Sequence, residues 1–342
     1  MEIANEIGVS DASIIRFSKA IGFEGYAELK NKVYDMLVEN SSNKISLTEL
    51  MRMNYEKMKG VFAEMKEMLF FDIDGTLVDF SGQILPSTLQ ALCQARKAGH
   101  ELILCTGRSK HQINQTLLDF GFDGIVAAAG GYAEYKGEVV FHKSFGEKGL
   151  QQVVDAFHGS TPFVLQRAEC TVMAGWMVPI FFEVYSDDRM KGDTLKSHEL
   201  FRGLMIDDDI KAYADKYSDT DSLVYCRSPY TVEEVRGLLG EGIHVEMSSY
   251  ISPEPYSGEI TIEGVDKGMG IRKLLEYSKV PREMTIGFGD GANDIGMFQI
   301  TGKAVVMGNA LDSVKKYADY VTDDVDRDGI ANAFKVLFDI NA

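Results

Sequence analysis

The sequence is short of positive charge: 35 lysines and arginines stand against 52 aspartates and glutamates, a formal net charge of −17 over 342 residues. That deficit argues against non-specific nucleic-acid binding, which needs a basic surface. It also means that an anionic substrate must be drawn in by a local positive site rather than by the overall field. Cysteine is sparse too. Cys93, Cys105, Cys170 and Cys226 form no C-x-x-C pair, and the nearest two are 12 positions apart. No zinc or redox centre is expected; reduced thiols in a cytoplasmic protein are the simpler reading. No apolar run, including residues 177–182, approaches the ~20 residues that a membrane-spanning helix needs. The start, MEIANEIGVSDASII, shows no basic residues followed by an apolar stretch, so no signal peptide is expected. No internal repeat or low-complexity tract stands out. What remains is 45% hydrophobic and 25% charged, enough for a globular core, at a length that implies two or three domains.

Residues 1–45 read as short helices. Ile3, Ala4 and Ile7 recur at helical spacing, and Gly8-Val9-Ser10 interrupts them. Ser10 can cap a second helix whose buried face carries Ile14, Ile15, Phe17 and Ile21 before Gly22 ends it. A third helix is expected over 26–38. Helix, glycine-bearing turn, helix is the helix-turn-helix pattern. The stretch GVSDASIIRFSKAIGFEGYAELK resembles the DNA-binding domain of RpiR-type sugar-responsive regulators, with the family's opening helices missing, so 1–45 are read as a remnant of that domain. Asn40-Ser41-Ser42-Asn43 is a polar linker candidate. Residues 46–67 read as one more helix, a spacer or a dimer contact.

The character changes at Met68. Leu69-Phe70-Phe71 ends in charged residues and Gly75, Leu102-Ile103-Leu104-Cys105 ends at Thr106-Gly107, Ile125-Val126-Ala127-Ala128 ends at Gly130-Gly131, and Thr285-Ile286-Gly287-Phe288 ends at Asp290-Gly291. Continuous apolar runs suggest strands buried on both faces, as in a parallel sheet. Helical segments fall between them, over 87–98 and 110–120. This alternation is an open α/β fold, whose ligands sit at the carboxyl ends of the strands, where the polar residues fall. Residues 150–252 differ: Phe181 and Val184 around Glu183, and Leu223-Val224-Tyr225, suggest a small α+β unit.

Four constellations carry chemistry. Asp72-Ile73-Asp74-Gly75-Thr76-Leu77 follows a strand, and two carboxylates at i and i+2 of an extended segment point the same way. One can attack phosphorus while the other handles a proton, and a cation between them would relieve their repulsion. Read alone, it is an acidic turn. Cys105-Thr106-Gly107-Arg108 offers a hydroxyl and free N–H groups for phosphate oxygens, or is a plain turn. Val265-Asp266-Lys267-Gly268 opens a helix with a lysine that can neutralise a nucleophile and a phosphate, or sits on the surface. Gly287-Phe288-Gly289-Asp290-Gly291-Ala292-Asn293-Asp294 fits the dinucleotide fingerprint G-x-G-x-x-A. However, Asp290 would then face a pyrophosphate. Asp290 and Asp294 instead suit Mg²⁺ as hard oxygen ligands.

In this order, the four sites resemble the motifs of the haloacid dehalogenase (HAD) superfamily of phosphatases. The resemblance runs from Leu69 to the end, and Val305-Val306-Met307-Gly308-Asn309-Ala310, Val314-Lys315 and Asp328-Gly329-Ile330 point to its Cof-type subgroup. Asp72 to Thr106 is 34 residues, one strand–helix–strand unit; Thr106 to Lys267 is 161, leaving roughly a hundred beyond what core elements need. The resemblance implies a Rossmannoid core over 68–149 and 253–342, with a type-2 (C2B) cap for substrate selection over 150–252. It implies that Asp72 is the nucleophile and that Asp74 protonates the leaving alkoxide, then activates water. Thr106, the amide of Gly107, Lys267 and Asn293 would hold the phosphoryl group. Mg²⁺ would be held by Asp72, the backbone carbonyl of Asp74, and Asp290, with Asp294 anchoring its water. The expected reaction is hydrolysis of a small phosphorylated metabolite, sugar phosphates first, with pyridoxal phosphate and flavin mononucleotide as further classes.

Two features are discounted. Asp324, Asp326, Asp328 and Gly329 mimic the start of an EF-hand loop, but its twelfth position would be Lys335, so calcium binding is not expected. The histidines at 100, 111, 142, 158, 198 and 244 show no ligand spacing, although His158, His198 and His244 fall in the cap. One departure from the family stands out: Ala128-Ala129-Gly130-Gly131 occupies a turn where many relatives carry Asn. A rival reading makes the chain a regulator, with DNA bound through residues 1–40 and the rest as phosphosugar sensor. Those 40 residues carry four basic against seven acidic side chains, a poor footprint for phosphates. A second rival is a phosphomutase on the same core. The sequence leaves the oligomeric state open.

Overall fold

The computed structural model describes residues 66–157, 159–185, 203–247 and 256–338. The helix-turn-helix expected over 1–45, the linker helix up to residue 65, and His158 and His198 lie outside the described residues. The chain divides into two units. The described part of the smaller one is Lys66, Glu67 and Ala95–His100, where the Glu67 N–H donates to His100 Nδ1 at 3.1 Å.

The larger unit contains two sheets. Its strands, in chain order, are β1 (Met68–Phe71), β2 (Glu101–Cys105), β3 (Gly124–Ala127), β4 (Tyr132–Tyr135), β5 (Glu138–His142), β6 (Phe163–Gln166), β7 (Thr171–Met173), β8 (Leu204–Ile206), β9 (Ser222–Tyr225), β10 (Ile243–Met247), β11 (Gly258–Ile262), β12 (Thr285–Gly289), β13 (Lys303–Val306) and β14 (Tyr320–Val321). The first sheet has the order β14-β13-β12-β1-β2-β3-β4-β5. Its pairs are parallel from β14 through β3, and β4 and β5 return antiparallel at one edge.

The continuous apolar run of β1 is explained by burial on both faces. Successive side chains leave a strand on opposite sides. Phe71 stacks on Phe288 with ring centroids 4.7 Å apart, and both lie against Phe334 of the helix Gly329–Phe338. On the other side Phe70 joins a cluster with Ile103, Val126, Ile271, Leu274 and Met297, the last three from the helices Lys267–Ser278 and Ile295–Ile300. Each such fully buried side chain contributes roughly 1.5–3 kcal/mol of transfer free energy. The expected helix over 110–120 is broken. A single 3₁₀ turn, Lys110–Gln112, is followed by the helix Gln115–Phe120. The break falls at Asn114, whose side chain accepts the Thr116 N–H at 2.8 Å and so starts a new helix instead of continuing one.

The second sheet, β10-β11-β9-β6-β7-β8, is inserted between β5 and β12. It packs on the helices Gly146–Phe157 and Val232–Leu239 around a core that includes Phe157, Phe163, Tyr213, Leu223 and Tyr225. β11 pairs antiparallel with both β9 and β10, so this sheet extends past the expected boundary at 252, and the helix beginning at Gly146 opens the insertion before 150. Residues 181–184 lie in the helix Val178–Tyr185.

Candidate active site

The polar residues that follow β1, β2 and β12 meet at one end of the first sheet. The Asp72 N–H donates to Phe288 O at 2.9 Å and the Thr106 N–H to Val126 O at 2.8 Å, so both residues extend the ladder one step beyond their strands. After Asp72 the chain turns at once. The N–H groups of Thr76, Leu77 and Val78 converge on Ile73 O, and Gly75 adopts φ +80°. A side chain at Gly75 would collide with the Asp290 carboxylate, so glycine is required both for the backbone conformation and for the close approach. The two carboxylates have different cationic partners, Lys267 for Asp72 and Arg108 for Asp74, and Asp74 still lies near enough for its charge to raise Asp72 and Asp290.

Asp72 faces Lys267. The lysine Nζ donates at 2.5 Å to Asp72 Oδ1 and at 2.5 Å to Asp294 Oδ1. All three side chains are buried, with relative exposures of 1% for Lys267, 5% for Asp72 and 0% for Asp294. Lys267 is the first residue of its helix, and Asp266 caps that helix by accepting the Met269 N–H at 2.7 Å. The second oxygen of Asp294 accepts the N–H groups of Asp290 (3.0 Å) and Gly291 (2.9 Å), which fixes the loop after β12. One oxygen each from Asp72, Asp290 and Asp294 lies within 4.8 Å of the others, the only such metal-type grouping among the described residues.

The electrostatics follow from burial. Desolvation pushes Asp72 well above the ordinary carboxylate range and Asp294 adds to it, with Lys267 opposing. Burial works against a charge on Lys267, yet Asp294 and Asp72 outweigh it and hold the ammonium well above its ordinary value. Asp290 is pushed up to about 6, mainly by burial and then by Asp294. Three carboxylates around one lysine leave negative charge in a low-dielectric site, and the donor set is all oxygen. That set fits a hard divalent cation.

Thr106 is buried, and its Oγ1 accepts the Arg108 N–H at 3.1 Å, which leaves the hydroxyl proton free to donate. No acceptor faces the Gly107 N–H among the described residues, and the exposed Asn293 brings its Nδ2 to 3.9 Å from where a Gly107 Cβ would stand. Asn293 makes no hydrogen bond to Lys267. Asp74 is held by Arg108 through two bonds, Nε to Oδ2 at 2.9 Å and Nη2 to Oδ1 at 2.7 Å.

Sequence reasoning gave no role to Arg108 or to Asn309, whose Nδ2 donates to Gly75 O and to Asp290 Oδ2. Both stand in motifs that the sequence shows, but the contacts they make carry no local signal, because each partner lies far away in the chain. The alanine turn also acquires a purpose. Ala128 and Ala129 both take positive φ, +50° and +51°. The Ala128 N–H reaches Arg108 O and the Ala129 N–H reaches Thr106 O. Gly130 packs so tightly on the Asp266 carbonyl that a Cβ would collide with it. The turn therefore ties the Thr106 loop to the start of the Lys267 helix.

The remaining histidines lie elsewhere. His111 bridges to the inserted sheet region through Arg167 O and Thr171 Oγ1, and His142 pairs with Asp221 at 2.6 Å. His244 sits 3.6 Å from Glu246 on the surface. No helix among the described residues is long and apolar enough to cross a membrane.

Comparison with known proteins places this geometry in context. The family described as haloacid dehalogenase-like hydrolase matches residues 69–334, and the rpiR-family helix-turn-helix domain matches residues 1–40. YkrA of Bacillus subtilis (strain 168) is 28% identical over 280 residues, covering 79% of this chain and 97% of its own. The 5-amino-6-(5-phospho-D-ribitylamino)uracil phosphatase YitU of the same strain is 24% identical over 279 residues, covering 80% and 98%. Among solved structures, a HAD subclass IIB sugar phosphatase superposes with a TM-score of 0.61 at 26% identity, over 79% of this chain and 98% of its own. With the family matched from β1 to the last helix and the site assembled at its strand ends, the chain belongs to the haloacid dehalogenase-like hydrolases, an enzyme family with phosphoric monoester hydrolases among the relatives of this chain.

Proposed function

We propose that the chain is a Mg²⁺-dependent phosphatase that hydrolyses small phosphorylated metabolites, sugar phosphates foremost, through an aspartyl-phosphate on Asp72. The observation that carries this reading is the convergence of Asp72, Lys267, Asp290 and Asp294 from separate segments into one buried cluster. Asp72, Asp290 and the backbone carbonyl of Asp74 would hold the cation, with Asp294 behind them. When bound, Mg²⁺ supplies positive charge that offsets the nucleophile and the phosphoryl oxygens.

Asp72 attacks phosphorus; the bond to the leaving oxygen breaks as the new O–P bond forms, and Asp74 gives that oxygen a proton. Asp74 then takes a proton from water, which attacks the acyl phosphate and releases inorganic phosphate with Asp72 regenerated. The Thr106 hydroxyl, the Gly107 N–H, Asn293 and Lys267 stabilise the spread negative charge of the transferring group. Asp74 has both oxygens occupied by Arg108 in this structure, so its proton-transfer role requires it to rotate away from the guanidinium. Its side chain is 34% exposed, which leaves room for that motion.

The substrate class rests on two relatives whose names specify a sugar phosphatase and a phospho-ribityl compound. A cytoplasmic setting suits the free thiols of all four cysteines. The test is phosphate release from a panel of phosphorylated metabolites with Mg²⁺ and with EDTA. Activity should require the metal, and Asp72→Asn should abolish turnover with the circular dichroism spectrum unchanged. Retained activity in that variant would falsify the assignment. A requirement for a bisphosphate activator would point to the phosphomutase. A specific gel shift through residues 1–40 would support the regulator, whose helix-turn-helix family those residues match.

A further inference from the structure

We infer that Asn309 is a positioning residue that sets the geometry, and hence the affinity, of the proposed cation site. The inference rests on that site's being one for Mg²⁺ and adds a residue that contacts neither substrate nor reacting atoms. Asn309 lies just beyond β13, in the loop before the helix Asp312–Lys315. Its Nδ2 donates to Gly75 O at 3.0 Å and to Asp290 Oδ2 at 2.9 Å, and its Oδ1 accepts the Val325 N–H at 2.9 Å. The amide orientation is therefore determined. Nδ2 has two hydrogens and faces two acceptors, while Oδ1 faces a donor, and a flipped amide would lose all three bonds.

These bonds join three segments that lie far apart in the sequence: the turn after the nucleophile, the loop after β12, and the acidic loop over 323–329. Gly75 and Asp290 are in such close contact that no Cβ fits between them. The oxygen atoms brought together there, a carbonyl and a carboxylate, repel each other. Asn309 places one N–H on each and converts that repulsion into attraction. It also occupies one oxygen of Asp290. The other, Oδ1, has only a 3.4 Å contact with Thr76 Oγ1, so the Asn309 bond is what fixes the rotation of the carboxylate.

The acidic loop is the far anchor. Its Val325 N–H fixes Asn309, its Asp323 carbonyl accepts the Gly308 N–H at 3.0 Å, and Thr322 Oγ1 ties the start of the loop to Gly329 O at 2.7 Å. The run of aspartates that mimics an EF-hand start thus acts as a brace, through its backbone, for a carboxylate elsewhere. Partners that orient a metal ligand typically govern about 10–100-fold in metal affinity or activity.

The test is isothermal titration calorimetry of Mg²⁺ into the metal-free full-length protein, wild type against Asn309→Ala, together with phosphate release as a function of Mg²⁺ concentration and urea unfolding in EDTA. The expected result is a Mg²⁺ dissociation constant raised about 10–100-fold, a matching rise in the Mg²⁺ concentration needed for half-maximal activity, and kcat largely recovered at saturating Mg²⁺. A merely structural role would lower the urea midpoint and leave the dissociation constant unchanged, and that outcome overturns the inference. If Asn309→Ala does not fold, Asn309→Ser, which is too short to span both acceptors, must show the same shift in Mg²⁺ affinity. A wild type that binds no Mg²⁺ and releases no phosphate removes the metal reading and this inference together. A wild type that binds Mg²⁺ and is matched by both variants removes this inference alone.

Discussion

Replacing Lys267 by methionine tests the electrostatic account at its centre. Methionine keeps an unbranched chain of similar length and deletes the charge. In the wild type the ammonium donates at 2.5 Å to both Asp72 and Asp294, and none of the three side chains is more than 8% exposed. Each contact corresponds to about 7 kcal/mol of Coulomb attraction at an effective dielectric of ~20, an upper bound from which the desolvation of the ammonium must be subtracted. Removing one partner of a buried pair typically costs about 3–5 kcal/mol, because the other charge is left unpaired. The sign with pH follows from the carboxylates. Asp72 is already raised by burial and by Asp294, with Lys267 opposing, so the variant raises it further. The part of the penalty that comes from Asp72 therefore opens above the ordinary carboxylate range, as pH rises past the raised value that Asp72 already has in the wild type. Urea unfolding at about pH 7.5 in EDTA should show Lys267→Met destabilised by about 3–5 kcal/mol. Mg²⁺ should recover more stability in the variant than in the wild type, since a cation then replaces the missing charge. Turnover should fall by roughly 10²–10³, as for loss of one preorganised transition-state donor. A variant within about 1 kcal/mol of wild type in EDTA, with an equal response to Mg²⁺, would refute the reasoning.

Two further substitutions probe the frame around the site. Ala129 holds φ +51° without a glycine's freedom, a conformation that costs roughly 1–2 kcal/mol for a residue with a Cβ. Asparagine tolerates it better, so Ala129→Asn should relieve part of that cost and stabilise the protein by about 0.5–1 kcal/mol, read as a raised urea midpoint; an unchanged or lowered midpoint contradicts the strain. The hydrogen bond that His142 Nε2 donates to the Asp221 carboxylate raises His142 above its ordinary 6.5, with Asp219 helping and burial and Arg167 opposing. A raised histidine stabilises fully below its unfolded value and loses that contribution as pH climbs through the folded one. The melting temperature should therefore decline from about pH 6.5 upward, and His142→Gln should flatten that decline; equal slopes in the two proteins would remove His142 as its source.

Much of the core was legible because its signals are local. Runs such as Leu102-Ile103-Leu104-Cys105 are apolar without alternation since both faces of β2 are covered, and each run ends where a polar loop must begin. The residues at those ends were legible for the same reason. The inserted sheet was harder to read. β11, which follows a stretch outside the described residues, is only half apolar in sequence, and its place between β9 and β10 depends on pairing and not on pattern. The broken helix at Asn114 was lost to a single capping side chain, which outcompeted otherwise helical spacing. Arg108 and Asn309 stood inside motifs that the sequence showed, but their partners were not readable from it. Asn309 meets Gly75 across 234 positions and Arg108 meets Asp74 across 34, and neither type of residue is distinctive where it stands.

The pair Asp72 and Asp74 shows why that missing information matters for mechanism. The sequence presents two identical carboxylates two positions apart, and nothing in it assigns them different work. The fold distinguishes them by supplying each with its own cation, Lys267 for Asp72 and Arg108 for Asp74. Asp72 receives a buried lysine and has an 8% exposed side chain, whereas Asp74 receives an arginine at the edge and is 34% exposed. As the proposed nucleophile, Asp72 would have to be held still; the buried ammonium holds it from one side and the proposed cation would do so from another. A group that shuttles protons to a leaving oxygen and from water must reach both, and the exposed position permits it. Guanidinium suits this second role because its fork holds both oxygens of Asp74 in one orientation. The carboxylate therefore has a defined resting place from which to turn toward the substrate. In the proposed mechanism the division of labour between the two aspartates would thus rest on the environments that Lys267 and Arg108 create.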